Sequence, residues 1–171
     1  LGIVGYGSIG QAVAQMARAF GLEVLVAMRP GVEGPAAAGR VPLRQMLREA
    51  DIVSLHCPLT PETRNLIDRQ SLSLMKPSAF LINTARGALI DEAALVAALR
   101  DKRIAGAALD VITEEPPSAG HPIIVAAKEL DSLIVTPHTA WSAPDSREPL
   151  LKEVEENIAA FLRGQDRNRV A

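Results

Sequence analysis

A chain of 171 residues, 48% hydrophobic and 22% charged with a net charge of -2, can bury about two-thirds of its unfolded surface in one core, so a single domain over 1–171 is expected. The near-neutral balance and 3% aromatic content offer neither a basic stripe for a phosphate backbone nor a stacking platform, which excludes nucleic acid as an expected partner. One cysteine, Cys57, excludes an internal disulfide and a multi-cysteine metal site, and no apolar run reaches the roughly 18 residues that span a bilayer; a cytoplasmic protein without metal or membrane partner is expected.

The chain opens without methionine inside an apolar run, Leu1-Gly2-Ile3-Val4, and is expected to be a portion of a longer polypeptide. Gly5-Tyr6-Gly7-Ser8-Ile9-Gly10 follows directly and leads into a helical stretch. In this G-x-G-x-x-G pattern the first glycine permits a tight turn. The second lets backbone approach a pyrophosphate, and the third lets the helix pack closely on the strand. Ile9, Val13, Met16, Ala17 and Phe20 recur at helical spacing, so one face of that helix is expected to be apolar. Gly21 stops it, and Glu23 to Met28 reads as a second buried strand.

Gly31 to Gly39 reads as a loose surface loop. Further strand-like runs follow at Ile52-Val53-Ser54-Leu55, Ala79-Phe80-Leu81-Ile82, Gly106-Ala107-Ala108-Leu109 and Leu133-Ile134-Val135. Six apolar strands alternating with helical segments, none with polar alternation, predict an α/β fold: a Rossmann-type doubly wound parallel sheet with helices on both faces and right-handed crossovers. Asp91 is placed to cap a helix to Arg100, with Ile90 and Leu95 as its hydrophobic staple. Glu114 to Pro122 reads as irregular. The last helix carries Leu150, Leu151, Val154, Ile158, Phe161 and Leu162 on one stripe and ends at Gly164; Pro149 predicts a start near Ser146, since a later proline removes a hydrogen bond. Gln165 to Ala171 is polar and expected to fray.

In a doubly wound sheet ligands lie at the carboxyl ends of the strands. There the sequence places His56-Cys57-Pro58-Leu59-Thr60-Pro61-Glu62-Thr63, Asn83-Thr84-Ala85-Arg86-Gly87, Asp110-Val111 and Thr136-Pro137-His138. With the glycine turn and Ile112-Thr113-Glu114-Glu115-Pro116-Pro117, these ordered motifs resemble the nucleotide-binding domain of the D-isomer-specific 2-hydroxyacid dehydrogenases over nearly the whole chain. The resemblance implies hydride exchange between a nicotinamide cofactor and a small 2-hydroxy acid or its 2-oxo acid. It assigns Arg86, Glu115 and His138 as the catalytic set. Arg86 suits a carboxylate through its bidentate fork, His138 suits proton transfer, and Glu115 would pair with His138 and favour the imidazolium.

By the same resemblance, Gly5, Gly7, Ser8, Ile9 and Gly10 form the pyrophosphate turn, with Thr63 adding a hydroxyl. Cys57, Pro58, Thr84, Ala85 and Ala140 line the nicotinamide side, and Asp110 holds the carboxamide. Cys57 as a nucleophile is the weaker reading, because no activating base adjoins it. His56 and His121 receive no proton chemistry. Trp141 and Glu115-Pro116-Pro117 resemble the glycerate dehydrogenase or hydroxypyruvate reductase branch, with glycerate, hydroxypyruvate or glyoxylate as the implied acids. Formate dehydrogenase relatives have glutamine where Glu115 stands.

The sequence departs from the family pattern in two ways. The acid that ends the second strand in NAD-preferring members is replaced by Met28-Arg29-Pro30, so Arg29 could accept a 2′-phosphate and the cofactor is NAD or NADP. The substrate-binding lobe, built mainly from residues upstream of the glycine turn, is absent, so the domain alone should bind dinucleotide and turn over little. The resemblance also implies a homodimer, with Trp141 to Leu151 as a candidate surface. An alternative of another class is a dinucleotide-sensing binding protein of corepressor type.

Overall fold

The structure, a computed structural model, describes residues 1–28 and 39–169. Arg29 and the loop read at Gly31 to Gly39, except Gly39 itself, lie outside the described residues. The chain forms two compact units, Leu1–Pro137 and His138–Ala171.

The first unit is built on seven parallel strands: β1 (Gly2–Val4), β2 (Leu25–Ala27), β3 (Arg40–Val41), β4 (Ile52–Leu55), β5 (Phe80–Asn83), β6 (Gly106–Leu109) and β7 (Leu133–Val135). Their order across the sheet is β3-β2-β1-β4-β5-β6-β7. Gly2 pairs with Leu25 on one side and Val53 on the other, so the chain winds outward from β1 and then returns to start the other half at β4. A ligand crevice belongs at that reversal. The fold is the expected α/β, Rossmann-type, doubly wound parallel sheet. β3 was missing from the sequence reading, because two residues carry no period to detect.

Ile3, Val4, Val53, Leu55, Leu81 and Leu109 form the sheet's interior and are almost wholly buried. Each such side chain contributes about 1.5–3 kcal/mol relative to exposure, which explains why these strands tolerate no polar alternation. α1 (Ser8–Ala19) packs on β1, and α2 (Leu43–Glu49), α3 (Arg69–Leu74), α4 (Glu92–Arg100) and α5 (Pro122–Glu129) pack successively against one another. Asp91 caps α4 as expected, accepting from the Ala94 amide at 3.0 Å. Asp68 caps α3 in the same way through Ser71 at 2.8 Å.

The apolar face expected for α1 is buried only in part: Ala17 is buried and Val13 half-buried. Gly10, Ala14 and Ala17 face inward, whereas Ile9, Met16 and Phe20 are exposed, Phe20 at 84%. An ideal Cβ on Gly10 would sit 2.2 Å from the Gly5 carbonyl oxygen. The helix therefore lies too close to β1 for large side chains, and the small residues take the inner face.

In the second unit α6 spans Pro144–Leu162. It starts two residues earlier than expected, because Pro144 supplies the first helical position, where a missing N–H costs nothing. Pro149 then stands inside the helix with no N–H to donate to the Asp145 carbonyl. Of its apolar stripe Leu150, Leu151, Val154, Ile158, Phe161 and Leu162 are exposed, and Ala160 is buried. The tail described to residue 169 is tied down rather than frayed: Arg167 reaches Glu153 Oε1 at 2.6 Å, Glu156 Oε2 at 2.5 Å and Asn157 Oδ1 at 2.7 Å.

Candidate functional site

The glycine turn joins β1 to α1 at the sheet's reversal point. Gly5 has φ +93°, and a Cβ there would fall 2.4 Å from the Cys57 amide nitrogen, so only glycine fits between the two halves of the sheet. Gly7 is the N-cap residue of α1 and offers no side-chain cap. A Cβ on Gly7 would meet nothing within 4 Å, and the first turn of α1 carries no acidic residue. The N–H groups at this helix end, including those of the exposed Ser8 and Ile9, are open to an anion.

A cavity of about 380 Å³ adjoins the turn, lined by Gly5, Tyr6, Gly7, Cys57, Pro58 and Thr63 together with Ala27, Arg40, His56, Thr60 and Glu62. Thr63 is buried; its hydroxyl donates to the Pro58 carbonyl at 2.8 Å and accepts from the Thr60 amide at 2.7 Å. Its one proton is thus committed to shaping the loop rather than pointing at a ligand. Burial pushes the Cys57 thiol up, away from a nucleophilic thiolate. Burial lowers the His56 pKa, and the His56 ring contacts Ser54 Oγ at 2.9 Å.

Arg40 stands with its guanidinium 6.0 Å from the centre of the Tyr6 ring. Sequence reasoning missed both residues. Tyr6 occupies a variable position of the motif, and Arg40 belongs to the unrecognised β3.

The second group of candidates lies at the ends of β5 and β6. Asn83, fully buried, closes the turn that presents Arg86: its amide nitrogen donates to the Arg86 carbonyl at 2.9 Å, and its oxygen accepts from the Ala85 amide at 3.0 Å. Arg86 is exposed. Its Nη1 donates to the Ala85 carbonyl at 2.7 Å, and it pairs with no acid among the described residues. The guanidinium keeps donors for a carboxylate.

Gly87 opens a short 3-10 helix (Gly87–Leu89) and lies against the backbone after β6. A Cβ on it would be 2.0 Å from the Ile112 carbonyl carbon and 2.5 Å from the Thr113 nitrogen. That close approach locks the Arg86 turn to the loop carrying Glu115, whose Oε1 accepts from the Ile112 amide at 2.9 Å. Asp110, buried at the end of β6, accepts from the Thr136 hydroxyl. Thr84 is exposed and Ala85 half-buried on the Arg86 turn.

His138 and Ala140 open the second unit. His138 has φ +51°, an uncommon left-handed backbone conformation, and its carbonyl accepts from Trp141 Nε1 at 2.8 Å. The Ser142 hydroxyl donates to the Thr139 carbonyl at 2.7 Å, so the segment after Pro137 is a compact, hydrogen-bonded turn. Trp141 thus has a local structural role that its spacing from His138 did not reveal. No group of three or more metal-ligating side chains occurs among the described residues, and no described helix is long and apolar enough to cross a membrane.

Residues 1–140 match the family described as D-isomer specific 2-hydroxyacid dehydrogenase, NAD binding domain. The chain is 44% identical over 170 residues to a glycerate dehydrogenase of Methylorubrum extorquens, covering 99% of this chain and 52% of that protein. Among solved structures, the NAD-complexed D-isomer specific 2-hydroxyacid dehydrogenase of Lactobacillus delbrueckii ssp. bulgaricus superposes with a TM-score of 0.85 at 33% identity, over 99% of this chain and 54% of that one. An acyclic imino acid reductase in complex with NADPH and D-Arg gives 0.84 at 35%, over 99% and 53%. This chain therefore spans about half the length of the relatives it matches. All three relatives are named as oxidoreductases, and none supports the corepressor alternative. The chain belongs to the NAD-binding domains of the D-isomer specific 2-hydroxyacid dehydrogenases.

Proposed function

We propose that this domain serves an enzyme that exchanges a hydride between NAD(H) or NADP(H) and a small 2-hydroxy acid or its 2-oxo acid. The observation that carries the reading is the locked pair of turns, in which Gly87 fixes the Arg86 turn against the Glu115 loop within a fold whose family is that of the 2-hydroxyacid dehydrogenases. The residues present fit a dinucleotide. Gly7 leaves open space, α1 has an uncapped N-terminus without acids, and the adjoining cavity is about 380 Å³.

Gly5, Gly7, Ser8, Ile9 and Gly10 would hold the pyrophosphate, Cys57, Pro58, Thr84, Ala85 and Ala140 would line the nicotinamide side, and Asp110 would hold the carboxamide. The bound nicotinamide supplies or accepts the hydride. Arg86 holds the substrate carboxylate through two parallel N–H···O bonds and polarises the neighbouring carbonyl. His138 donates a proton to the developing alkoxide, or removes it from the alcohol in reverse. Glu115 pairs with the His138 imidazolium and keeps that proton available. Hydroxypyruvate or glyoxylate are the acids to test first, supported by the glycerate dehydrogenase relative.

The cofactor choice falls on Arg29 and its surroundings: a cation where an acid would hold both ribose hydroxyls supports NADP. A homodimer is proposed through the surface from Trp141 to Leu151, where Trp141, Leu150 and Leu151 are exposed. A cytoplasmic location is supported by the single cysteine.

The test is an assay of the full-length protein with a panel of 2-oxo acids and both reduced cofactors, beside His138→Ala and a sedimentation measurement. Turnover of a 2-oxo acid that His138→Ala abolishes supports the reading. A full-length protein that binds cofactor, reduces none of the acids and is unaffected by His138→Ala contradicts it.

A further inference from the structure

Glu92, the first residue of α4, stands at the centre of a partly buried arrangement that the chemistry above does not use. Its Oε1 accepts from the Thr113 amide at 2.7 Å and its Oε2 from the Thr113 hydroxyl at 2.9 Å. His121 Nε2 lies 3.5 Å from the same Oε2, with the His121 side chain 5% exposed and that of Glu92 13%. The start of a helix is a favourable place for the charge, since the first-turn N–H groups point toward it.

His121 Nδ1 is buried without a hydrogen-bond partner among the described residues. The approach of Nε2 to Glu92 Oε2 is thus the polar side-chain contact that the His121 ring makes in this arrangement.

What the contact joins is the relevant point. Residues 113–120 are all exposed, while Ile112 and His121 are buried, so no apolar side chain anchors the loop between those two ends. Glu92 touches Thr113 at the start of this exposed segment and approaches His121 at its end. Inside the loop, the Glu115 carboxylate accepts from the Ile112 amide at 2.9 Å. The other loop acid, Glu114, accepts from the Ser118 amide at 3.2 Å. Glu92 therefore closes from outside the turn that Glu115 closes from within.

We propose that Glu92 is a positioning residue for Glu115: by clasping Thr113 and His121, it holds the exposed loop so that the Glu115 carboxylate keeps a fixed place beside the Arg86 turn. The proposal rests on the reading of Glu115 as the partner of His138. Glu92 itself touches no reacting atom, and its effect passes through the loop.

The test compares pH profiles of 2-oxo acid reduction by the full-length protein carrying Glu92→Ala, Glu92→Gln, Glu115→Gln or the Glu92→Ala/Glu115→Gln pair. Glu115→Gln should move the basic limb of kcat to lower pH, because the imidazolium loses its anionic partner. Glu92→Ala should move it in the same direction and lower kcat about tenfold, as expected when a catalytic group drifts by a fraction of an ångström, with cofactor affinity unchanged.

The double variant should behave as Glu115→Gln alone, since both act through one group. Glu92→Gln should recover most of the activity, because its amide oxygen still accepts from Thr113. If Glu92→Ala does not fold, Thr113→Val removes the hydroxyl bond while keeping the amide bond, and the same displacement, smaller, is expected. A shift with Glu115→Gln but none with Glu92→Ala or Thr113→Val overturns the clasp and leaves the Glu115 reading intact. No shift with any variant overturns both.

Discussion

Gly87→Ala perturbs the spacing between the Arg86 turn and the Glu115 loop while adding a single methyl group. The new Cβ would lie 2.0 Å from the Ile112 carbonyl carbon, 2.2 Å from its oxygen and 2.5 Å from the Thr113 nitrogen, against 3.4 Å for ordinary contact. The two turns must therefore part by about 1.4 Å, the difference of 3.4 and 2.0. Every atom in the way is backbone, so no side chain can rotate aside. Overpacking of this kind costs about 1–3 kcal/mol of stability, and a displacement near 1 Å between reacting groups costs about a hundredfold in rate.

The assay is kcat with saturating 2-oxo acid and cofactor, beside a urea melt and a cofactor titration of the same full-length variant. Any loss of cofactor affinity should be small beside the loss in kcat, because Gly87 does not line the cavity at the glycine turn. A destabilised variant whose kcat stays within about threefold of wild type, well short of that hundredfold, would refute the claim that this spacing serves the reaction.

Asp91→Ala should cost about 1 kcal/mol, read from the urea midpoint, because its carboxylate caps α4 through the Ala94 amide; an unchanged midpoint would show the cap to be idle. Arg40→Gln should weaken dinucleotide binding about tenfold, since it removes a cation from the cavity wall beside Tyr6, and equal affinities by calorimetry would remove Arg40 from the site. Burial holds the folded-state pKa of His56 below its ordinary 6.5, so as pH falls below that value the unfolded chain takes up a proton that the folded chain resists. Stability should decline with falling pH from 6.5 down to the depressed folded pKa, and His56→Gln should flatten that part of a pH series of urea melts; an unaltered slope would assign the decline elsewhere.

What the sequence showed plainly is what depends on neighbours in the chain. The glycine turn, the Asp91 cap and the five longer-established strands after β1 follow from patterns a few residues long. The face of α1 followed only at Ala17 and Val13, because hydrophobicity also marks the exposed Ile9, Met16 and Phe20, while the inward choice of Gly10 and Ala14 follows from how closely the helix approaches β1. β3 is two residues long and has no local signature.

The site divides in the same way. Arg86 and Glu115 were visible as members of ordered motifs, and Asn83 and Gly87 stood in the same motif as Arg86, but the approach of Gly87 to Ile112 and the bonds of Glu92 to Thr113 join segments more than twenty residues apart. No periodicity announces such a contact. Thr63 shows the converse: it stands within a recognised motif, yet its hydroxyl is engaged by Pro58 and Thr60.

The most direct measurement is a crystal structure of the full-length protein with a reduced cofactor and an unreactive 2-oxo acid analogue. The expected result places the ligand carboxylate in the fork of Arg86, His138 within hydrogen-bond distance of the oxygen that becomes the alkoxide, and Glu115 on the other imidazole nitrogen. A ligand carboxylate bound away from Arg86, with His138 turned from the reacting oxygen, would contradict it.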